Sequence, residues 1–174
     1  HLLFIDCDME PDVEVGYDPE AMPFFQTSWQ FLNQLENGEI DGMPKGSLGI
    51  IAAPALSGPP EFKCNVLLPG EDGKHARVSR EEAWQKRACI ERCTCIGTGL
   101  MLIPMKVFDV LPEPYFDDIY DDPSKKNVYS SQDSTFCINC NRDGISVWCN
   151  WYAWCRHWKT CPVDRPSPAF DAYA

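Results

Sequence analysis

Apolar runs alternate along the chain with polar stretches rich in glycine and proline, and this pattern predicts alternating strands and helices. Short apolar runs predict strands at residues 2–5, 49–56, 62–68 and 145–150. The first of these strands is expected to be buried. Helical spacing or helix-forming composition predicts helices at residues 28–35, 80–87, 104–111 and 133–142. Strands that alternate with helices favour an α/β layered fold.

Polar and proline-rich segments predict the connections between these elements. Loops are expected at residues 9–23 and 112–126, and a loop or hairpin tip at residues 70–78. Gly144 is expected to end the last helix. The proline-rich C-terminal end predicts an extended tail. We therefore expect one domain, residues 1–160, followed by the tail, residues 161–174.

Composition and charge narrow the possible functions. The 174 residues are 44% hydrophobic and 24% charged, as in one globular domain or part of a larger one. The formal net charge of −11 argues against direct binding of a nucleic-acid backbone, which needs a basic face. The same acidity suits a divalent-cation site or serves solubility alone. No apolar run reaches about 18 residues and no signal-peptide pattern is present, so we expect no transmembrane segment and favour the cytoplasm.

Two aspartates, Asp6 and Asp8, directly follow the apolar run at residues 2–5. Side chains alternate between the faces of a strand, so both carboxylates are expected to point the same way, with Cys7 opposite. Like charges side by side repel, and each raises the cost of ionising the other. A divalent cation between the carboxylates and a phosphate relieves this repulsion, and oxygen ligands suit Mg²⁺ and Mn²⁺. The pair therefore predicts a metal site or, alternatively, an acidic solvated loop.

Three stretches further along carry candidate chemistry. The first is Gly97-Thr98-Gly99, which precedes an apolar run and the pairs Val107-Phe108 and Tyr115-Phe116. The second runs from Asp133 to Phe136-Cys137. The third is a Gly144 to Trp148 segment, followed by Cys155-Arg156-His157. Taken singly, they are explained by close backbone packing, a helix-start acid and a structural histidine.

Taken together and in this order, these stretches and Asp6-Cys7-Asp8 resemble GT-A-type glycosyltransferases, close to the family-two-like enzymes of bacteria and phages. The family pattern is a hydrophobic strand ending in Asp-x-Asp, a Gly-Thr-Gly segment, a Glu-Asp-x-x-Phe-Cys helix, a Gly-x-x-apolar-Trp strand and a terminal Gly-His. The resemblance covers about residues 2–158. It implies a GT-A-like (Rossmann-like) mixed sheet flanked by helices. It also implies metal-dependent transfer of a sugar from a UDP- or GDP-type donor to a hydroxyl of an acceptor glycan, protein or other molecule.

The resemblance implies a role for each matching residue. Asp6 would face the nucleotide ribose and the metal, and Asp8 would ligate Mn²⁺ or Mg²⁺ on the diphosphate. His157 corresponds to the C-terminal metal ligand of the family. Asp133 corresponds to the carboxylate near the acceptor hydroxyl, which is the general base if the enzyme inverts. The donor sugar and the acceptor would be bordered by the backbone of Gly97, Thr98 and Gly99.

The sequence departs from the family pattern in three places. Gln132 stands where the family usually has Glu, and Arg156 stands where it often has Gly. The usual N-terminal nucleotide-binding βαβ portion does not precede the Asp-x-Asp strand, which starts at Leu2. We expect that the chain is a fragment, that its sequence is incomplete, or that a partner chain supplies the nucleotide half.

Two other classes of function stay open. Cys93, Cys95, Cys137, Cys140, Cys155 and His157 include residues that could form a structural zinc site. Alternatively, the chain is a non-catalytic GT-A-like remnant that binds carbohydrate or protein. The aromatic run that could stack on sugar rings comprises Trp148, Trp151, Tyr152, Trp154 and Trp158. Core packing also explains these residues.

Overall fold

The computed structural model describes residues 1–57, 63–70, 75–86, 88–120, 128–158 and 162–163. Its helices are α1 (Phe24–Asn37), α2 (Arg80–Gln85), α3 (Lys106–Val110) and α4 (Gln132–Arg142). Its strands in the first half are β1 (Leu2–Ile5), β2 (Met9–Glu10), β3 (Gly49–Ala52), β4 (Val66–Pro69) and β5 (His75–Arg77). Those in the second half are β6 (Ile90–Cys93), β7 (Cys95–Ile96), β8 (Leu100–Ile103), β9 (Ile119–Tyr120), β10 (Val128–Ser130), β11 (Ser146–Asn150), β12 (Arg156–Trp158) and β13 (Pro162–Val163). The fold is mixed α/β, as predicted.

A five-stranded mixed sheet forms the centre of the domain, in the order β1-β8-β3-β11-β6. β11 runs parallel to β3, and the other neighbouring pairs are antiparallel. Every residue of β3, β8 and β11 is buried. Strands covered on both faces read as continuous apolar runs rather than as alternating patterns. Such runs predicted β3 and β11, whereas the apolar run that forms β8 was not predicted as a strand.

Helices cover both faces of this sheet. Phe31, Leu32 and Leu35 of α1 pack with Ile51 and Leu102 on one face. Residues of α3 and α4 pack on the other face, where they meet Ile50, Met101, Ile103, Val147 and Cys149. The two cores therefore take alternate residues of the same strands, as the twofold period of a strand requires.

Three smaller sheets extend the domain around the candidate site. β4 pairs with both β5 and β7, β2 pairs with β12, and β9 pairs with β10. The strands β2 and β9 fall within segments predicted as loops, at residues 9–23 and 112–126. Both are two residues long, too short for an apolar pattern of their own. β2 forms by pairing with the distant β12, and β9 by pairing with β10, the next strand along the chain.

The expected burial of β1 is wrong. Leu2, Leu3 and Ile5 are 38%, 39% and 48% exposed. β1 is an edge strand that, within the described ranges, pairs with β8 alone. An apolar run thus marks a strand without fixing whether both of its faces are covered.

The predicted tail is described at two positions only. Pro162 and Val163 pair with β12 as the strand β13. The other residues of the segment 161–174 lie outside the described residues.

Candidate functional site

A cleft of about 250 Å³ lies beside the end of β1 and gathers most of the predicted site residues. We name it the Asp8 cleft. Of the residues singled out in the sequence, it is lined by Asp6, Asp8, Gly97, Gly99, Asp133 and His157. Thr98 lies between the two glycines and hydrogen-bonds to Asp133. The structure therefore brings together residues that lie as far as 151 positions apart in the chain.

The two aspartates reach this cleft through a turn and not through a strand. β1 ends at Ile5, and the Met9 amide donates to the Asp6 carbonyl at 3.0 Å. The expectation that strand alternation orients both carboxylates is therefore wrong in its geometry, although both residues line the same cleft. The Asp6 amide donates to the Gly99 carbonyl at 2.8 Å, which fixes the turn against the start of β8.

Pairing of β2 with β12 brings Asp8 and His157 together. In this pair His157 lies opposite Met9, and the Trp158 amide donates to the Asp8 carbonyl at 2.7 Å. His157 Nε2 lies 3.2 Å from Asp8 Oδ2. Both side chains are partly buried, with 14% and 31% of their surfaces exposed for His157 and Asp8. Their contact is therefore partly shielded from solvent.

A backbone contact fixes the proton on the His157 ring. Nδ1 lies 2.9 Å from the Leu56 carbonyl oxygen, which only accepts, so Nδ1 carries a proton and donates it. A hydrogen bond from Nε2 to Asp8 then requires the second ring proton. Without that proton, an Nε2 lone pair and a carboxylate oxygen face each other. Metal-binding histidines share this arrangement, in which one nitrogen donates to a carbonyl and the other faces the ion.

The donor set suits an ion that needs few protein ligands. Among the residues the structure describes, no group of three or more His, Cys, Asp or Glu side chains is arranged to hold a metal. Asp8 and His157 would thus supply two ligands. Mg²⁺ and Mn²⁺ commonly take one or two protein ligands and complete their shells with water and substrate phosphates.

Asp133 lies in the first turn of α4 and holds the Gly97-Thr98-Gly99 segment. Its Oδ1 accepts the Thr98 hydroxyl at 2.8 Å, and its Oδ2 accepts the Thr98 amide at 3.3 Å. Each carboxylate oxygen has further lone pairs, and the residue lines the cleft. Asp133 therefore positions this segment and keeps acceptor capacity toward the cleft.

Close packing explains glycine at positions 97 and 99. A Cβ atom on Gly97 would lie 2.9 Å from the Asn65 side-chain nitrogen. Asn65 is itself held, because its side-chain oxygen accepts the Ala55 amide at 2.9 Å. A Cβ atom on Gly99 would clash with the terminal methyl of Met9. Gly97 thus faces a fixed side chain, whereas Gly99 faces the mobile end of a long one.

Among the lining residues of the Asp8 cleft that sequence reasoning missed are Lys63, Asn65 and Arg77. Arg77 donates from Nη1 to the Cys64 carbonyl at 2.8 Å, which fixes its guanidinium beside the cleft. Lys63 and Arg77 bring positive charge to a site that also contains three aspartates. The net charge of −11 conceals this local feature, and the strand β5 that carries Arg77 falls in a predicted loop or hairpin tip.

The cysteines proposed for zinc are distributed over different parts of the core. Cys93, Cys95, Cys137 and Cys140 belong to the core on the α4 side of the sheet, and Cys155 belongs to the α1 side. They are free thiols. In the described part of the chain they do not form a metal-holding group. Core packing accounts for their burial.

The aromatic run is mostly core as well. Trp148, Trp151 and Trp154 are 8%, 1% and 1% exposed, whereas Trp158 is 46% exposed. The three buried rings are not available to stack on a sugar. Trp158 is exposed at the end of β12, next to His157, where its Nε1 donates to Glu10 at 2.8 Å.

Comparison of the chain with protein-family models, with curated proteins and with solved structures gives no match. In the part of the chain that the structure describes, no helix is long and apolar enough to cross a membrane.

Proposed function

We propose that this protein is a metal-dependent, GT-A-like glycosyltransferase that moves a sugar from a nucleoside-diphosphate donor to an acceptor hydroxyl. The observation that supports it best is the contact of Asp8 with His157, at 3.2 Å and across 149 positions, in a cleft that Asp133 also lines. The resemblance in sequence predicted these three residues as two metal ligands and a carboxylate near the acceptor. Their meeting in one cleft is what that function requires.

Asp8 and His157 would hold the cation, and the mixed carboxylate and imidazole donors favour Mn²⁺ over Mg²⁺. The bound ion would stabilise negative charge on the diphosphate leaving group. The Leu56 carbonyl orients the His157 ring through Nδ1, so that Nε2 faces the ion position. The protein contributes this orientation before any substrate binds.

Lys63 and Arg77, which line the same cleft, would bind the diphosphate. Phosphate oxygens form strong charge-assisted hydrogen bonds with guanidinium and ammonium groups. Arg77 is held by the Cys64 carbonyl, so little further side-chain entropy is lost when it binds the diphosphate. Cationic groups beside Asp6 and Asp8 explain how an acidic protein would accept an anionic donor.

Asp133 would accept the proton of the attacking hydroxyl if the reaction inverts the sugar configuration. Its contacts with Thr98 fix the carboxylate at the border of the Gly97–Gly99 segment, where donor sugar and acceptor would meet. If the configuration is retained, Asp133 would instead position the acceptor through a hydrogen bond. The proposal assigns Asp133 to the acceptor in both cases.

The decisive test is thermal unfolding of the 174-residue chain with Mn²⁺ plus UDP or GDP, against EDTA. A ligand of the native state raises the midpoint, and about 2.7 kcal/mol is gained at a ligand concentration one hundred times Kd. We expect a metal-dependent rise with one nucleotide, which Asp8→Asn abolishes. Asp41→Asn is the matched control, because Asp41 is an exposed turn residue away from the cleft. Failure of every combination would contradict a self-sufficient donor site.

The second candidate is a non-catalytic binding remnant. Two observations favour it. Both Asp133 oxygens accept hydrogen bonds from Thr98, which is a structural role. Gln132 also stands where the family usually has Glu. The remnant is also compatible with the exposed apolar residues of β1, which a partner chain or another segment would cover. Release of UDP or GDP from nucleotide sugars, measured with a panel of acceptors, separates the two. Nucleotide binding without turnover would favour the remnant.

A further inference from the structure

A second cleft, of about 370 Å³, lies between the small β4–β5–β7 sheet and the start of α4. We name it the Cys95 cleft. Its lining residues include His75, Thr94, Cys95 and Ser134. Cys95 is 7% exposed, whereas Cys137, one helical turn after Asp133, is completely buried. One thiol of this neighbourhood therefore borders an open space and the other lies behind it.

The two thiols are direct neighbours. Cys95 and Cys137 hydrogen-bond to each other, and Ser134 also hydrogen-bonds to Cys95. The Cys137 thiol donates to the Ile96 carbonyl oxygen at 3.4 Å, and Ile96 directly follows Cys95, so Cys137 is held against β7. The Ser134 hydroxyl is suited to donate to a sulfur anion on Cys95, and the Cys137 S–H would turn from the Ile96 carbonyl to do the same.

This environment favours a thiolate on Cys95. The hydrogen bond from Cys137 lowers the pKa of Cys95 to about 7, against burial, which raises it. The hydrogen bond from Ser134 and the charge of Arg77 lower the pKa further, and the charge of Asp133 raises it. The pKa of Cys137 is raised well above its usual value, first by the hydrogen bond to Cys95 and then by burial. Of the two thiols, Cys95 is therefore the one that loses its proton more readily.

In other buried cysteines the thiol pKa is raised instead of lowered. Burial raises the pKa of Cys64 to about 11 and those of Cys140 and Cys155 to about 12. The thiolate is the nucleophilic form, so these thiols are inert at neutral pH. Cys140 is the best comparison, because it lies on the same helix as Cys137, three positions further along.

We propose that Cys95 and Cys137 form a peroxide-reactive pair, in which Cys95 is the site of attack on a small hydroperoxide and Cys137 resolves it to a disulfide. The Cys95 sulfur attacks one peroxide oxygen, the S–O bond forms, the O–O bond breaks, and the leaving hydroxide takes a proton to become water. The Cys137 sulfur then attacks the sulfenic acid, the S–S bond forms, the S–O bond breaks and a second water leaves. The two thiols are oxidised and hydrogen peroxide is reduced to two waters.

The disulfide would join β7 to the first half of α4. Thr98, two residues after β7, and Asp133 of α4 already connect these parts of the chain beside the Asp8 cleft. Oxidation would therefore add a covalent link where the fold already has a hydrogen-bonded one. The inference does not depend on the proposed glycosyl transfer.

The test is disulfide mapping of the reduced 174-residue chain after treatment with stoichiometric hydrogen peroxide at neutral pH. Remaining thiols are alkylated, and the digested protein is analysed by mass spectrometry. We expect a peptide pair joined through Cys95 and Cys137, with loss of two hydrogen atoms, which dithiothreitol reverses. The Cys7→Ser background removes the exposed thiol that would otherwise consume peroxide.

Two variants separate the roles of the thiols. Cys137→Ser should trap the sulfenic acid, so that dimedone labels Cys95 more strongly than in the parent protein. Cys140→Ser is the matched control and should still form the cross-link. The mapping is also carried out on the unsubstituted protein, so its result does not depend on whether a variant folds. Recovery of Cys95 as a fully alkylated thiol after peroxide, or its cross-linking to other cysteines as often as to Cys137, would overturn the proposal.

Discussion

The Thr98 hydroxyl donates to the Asp133 carboxylate at 2.8 Å, across 35 positions of the chain. The Thr98 amide donates to the other carboxylate oxygen at 3.3 Å. These two bonds attach the Gly97–Gly99 segment to the first turn of α4, where the amides of a helix start also favour negative charge. One carboxylate therefore fixes the shape of the cleft and, in the proposed function, serves the acceptor.

Substitutions of Thr98 and Asp133 should separate the positioning of the Gly97–Gly99 segment from the role of the Asp133 carboxylate as a base. Asp133→Asn keeps an acceptor for the Thr98 hydroxyl but removes the basic carboxylate and the acceptor of the Thr98 amide. Transfer should therefore fall by about 10²–10⁴-fold, with a loss of about 1 kcal/mol of the free energy of unfolding. Thr98→Val keeps the volume but removes the hydroxyl donor, and should cost about 1 kcal/mol of the free energy of unfolding. Steady-state kinetics and thermal unfolding of both variants check this. Equal activity of Asp133→Asn and the parent protein would contradict the assigned role.

The contact between Asp8 and His157 predicts a cation dependence. Asp8→Asn and His157→Gln should each weaken Mn²⁺ binding by at least about 10-fold, since even residues that only orient metal ligands have effects of that size. Mn²⁺ titration followed by electron paramagnetic resonance measures the affinity directly. His75→Gln is the control, because His75 is exposed on β5 and lines the other cleft. Unchanged affinity in both site variants would remove the metal assignment.

The positive charges of the Asp8 cleft predict which part of the donor they bind. Arg77→Gln should weaken UDP or GDP binding by about 10-fold, in line with about 1.5 kcal/mol for a hydrogen bond to a charged group. Binding of the corresponding nucleoside, which has no diphosphate, should not change. Isothermal titration with both ligands makes the comparison. An equal loss for nucleoside and nucleotide would mean that Arg77 acts through the fold, since it also holds the Cys64 carbonyl.

The elements that the sequence predicts best are those with a strong local pattern. The helix expected at residues 133–142 is α4, Gln132–Arg142, and Gly144 follows its end with a φ of 80°, as a C′ glycine requires. The strand expected at residues 145–150 is β11, Ser146–Asn150, which is buried throughout. In these segments local propensity and tertiary packing favour the same structure.

What the sequence could not predict depends on pairing between distant segments. The strand β2 exists because it pairs with β12, and this pairing also brings Asp8 to His157. Arg77 joins the cleft through the pairing of β5 with β4, and Lys63 through backbone hydrogen bonds with Ser57. Neither belongs to a recognisable motif. The exposure of β1 depends on which strands lie next to it. Periodicity carries no information about such neighbours.

The two glycines beside the cleft should differ in their tolerance to alanine. Gly97→Ala places a Cβ atom against Asn65, whose side chain is held by the Ala55 amide, and should cost about 1–3 kcal/mol of the free energy of unfolding. Gly99→Ala meets the end of the Met9 side chain, which can rotate away, and should cost less. Chemical denaturation of the two variants gives the comparison. A larger loss at position 99 would mean that Met9 is held more firmly than Asn65.

The N-terminus of α2 should contribute a pH-dependent part of the stability. Ser79 and Glu82 form a capping box, in which the Ser79 side chain accepts the Glu82 amide at 3.2 Å and Glu82 accepts the Ser79 amide at 2.8 Å. The hydrogen bond from the Ser79 backbone, followed by that from its side chain, lowers the pKa of Glu82 below 4.5. A carboxyl group whose pKa is lower in the folded state stabilises that state above the unfolded value. This contribution is lost as the pH falls through the lower folded value.

In the Glu82→Gln variant, the free energy of unfolding should therefore fall less between pH 7 and pH values below 4.5 than in the parent protein. The reason is that glutamine keeps the hydrogen-bond acceptor but does not titrate. Glu81→Gln, in the same helical turn but outside the capping box, is the matched control and should leave that part of the profile in place. Ser79→Ala should lower the free energy of unfolding by about 1 kcal/mol at neutral pH. Urea denaturation at a series of pH values measures all three. If Glu82→Gln and Glu81→Gln had identical acid profiles, the capping box would not be the source of the pH dependence. The acid sensitivity of the fold would then come from other carboxylates, such as Asp143 beside Arg142.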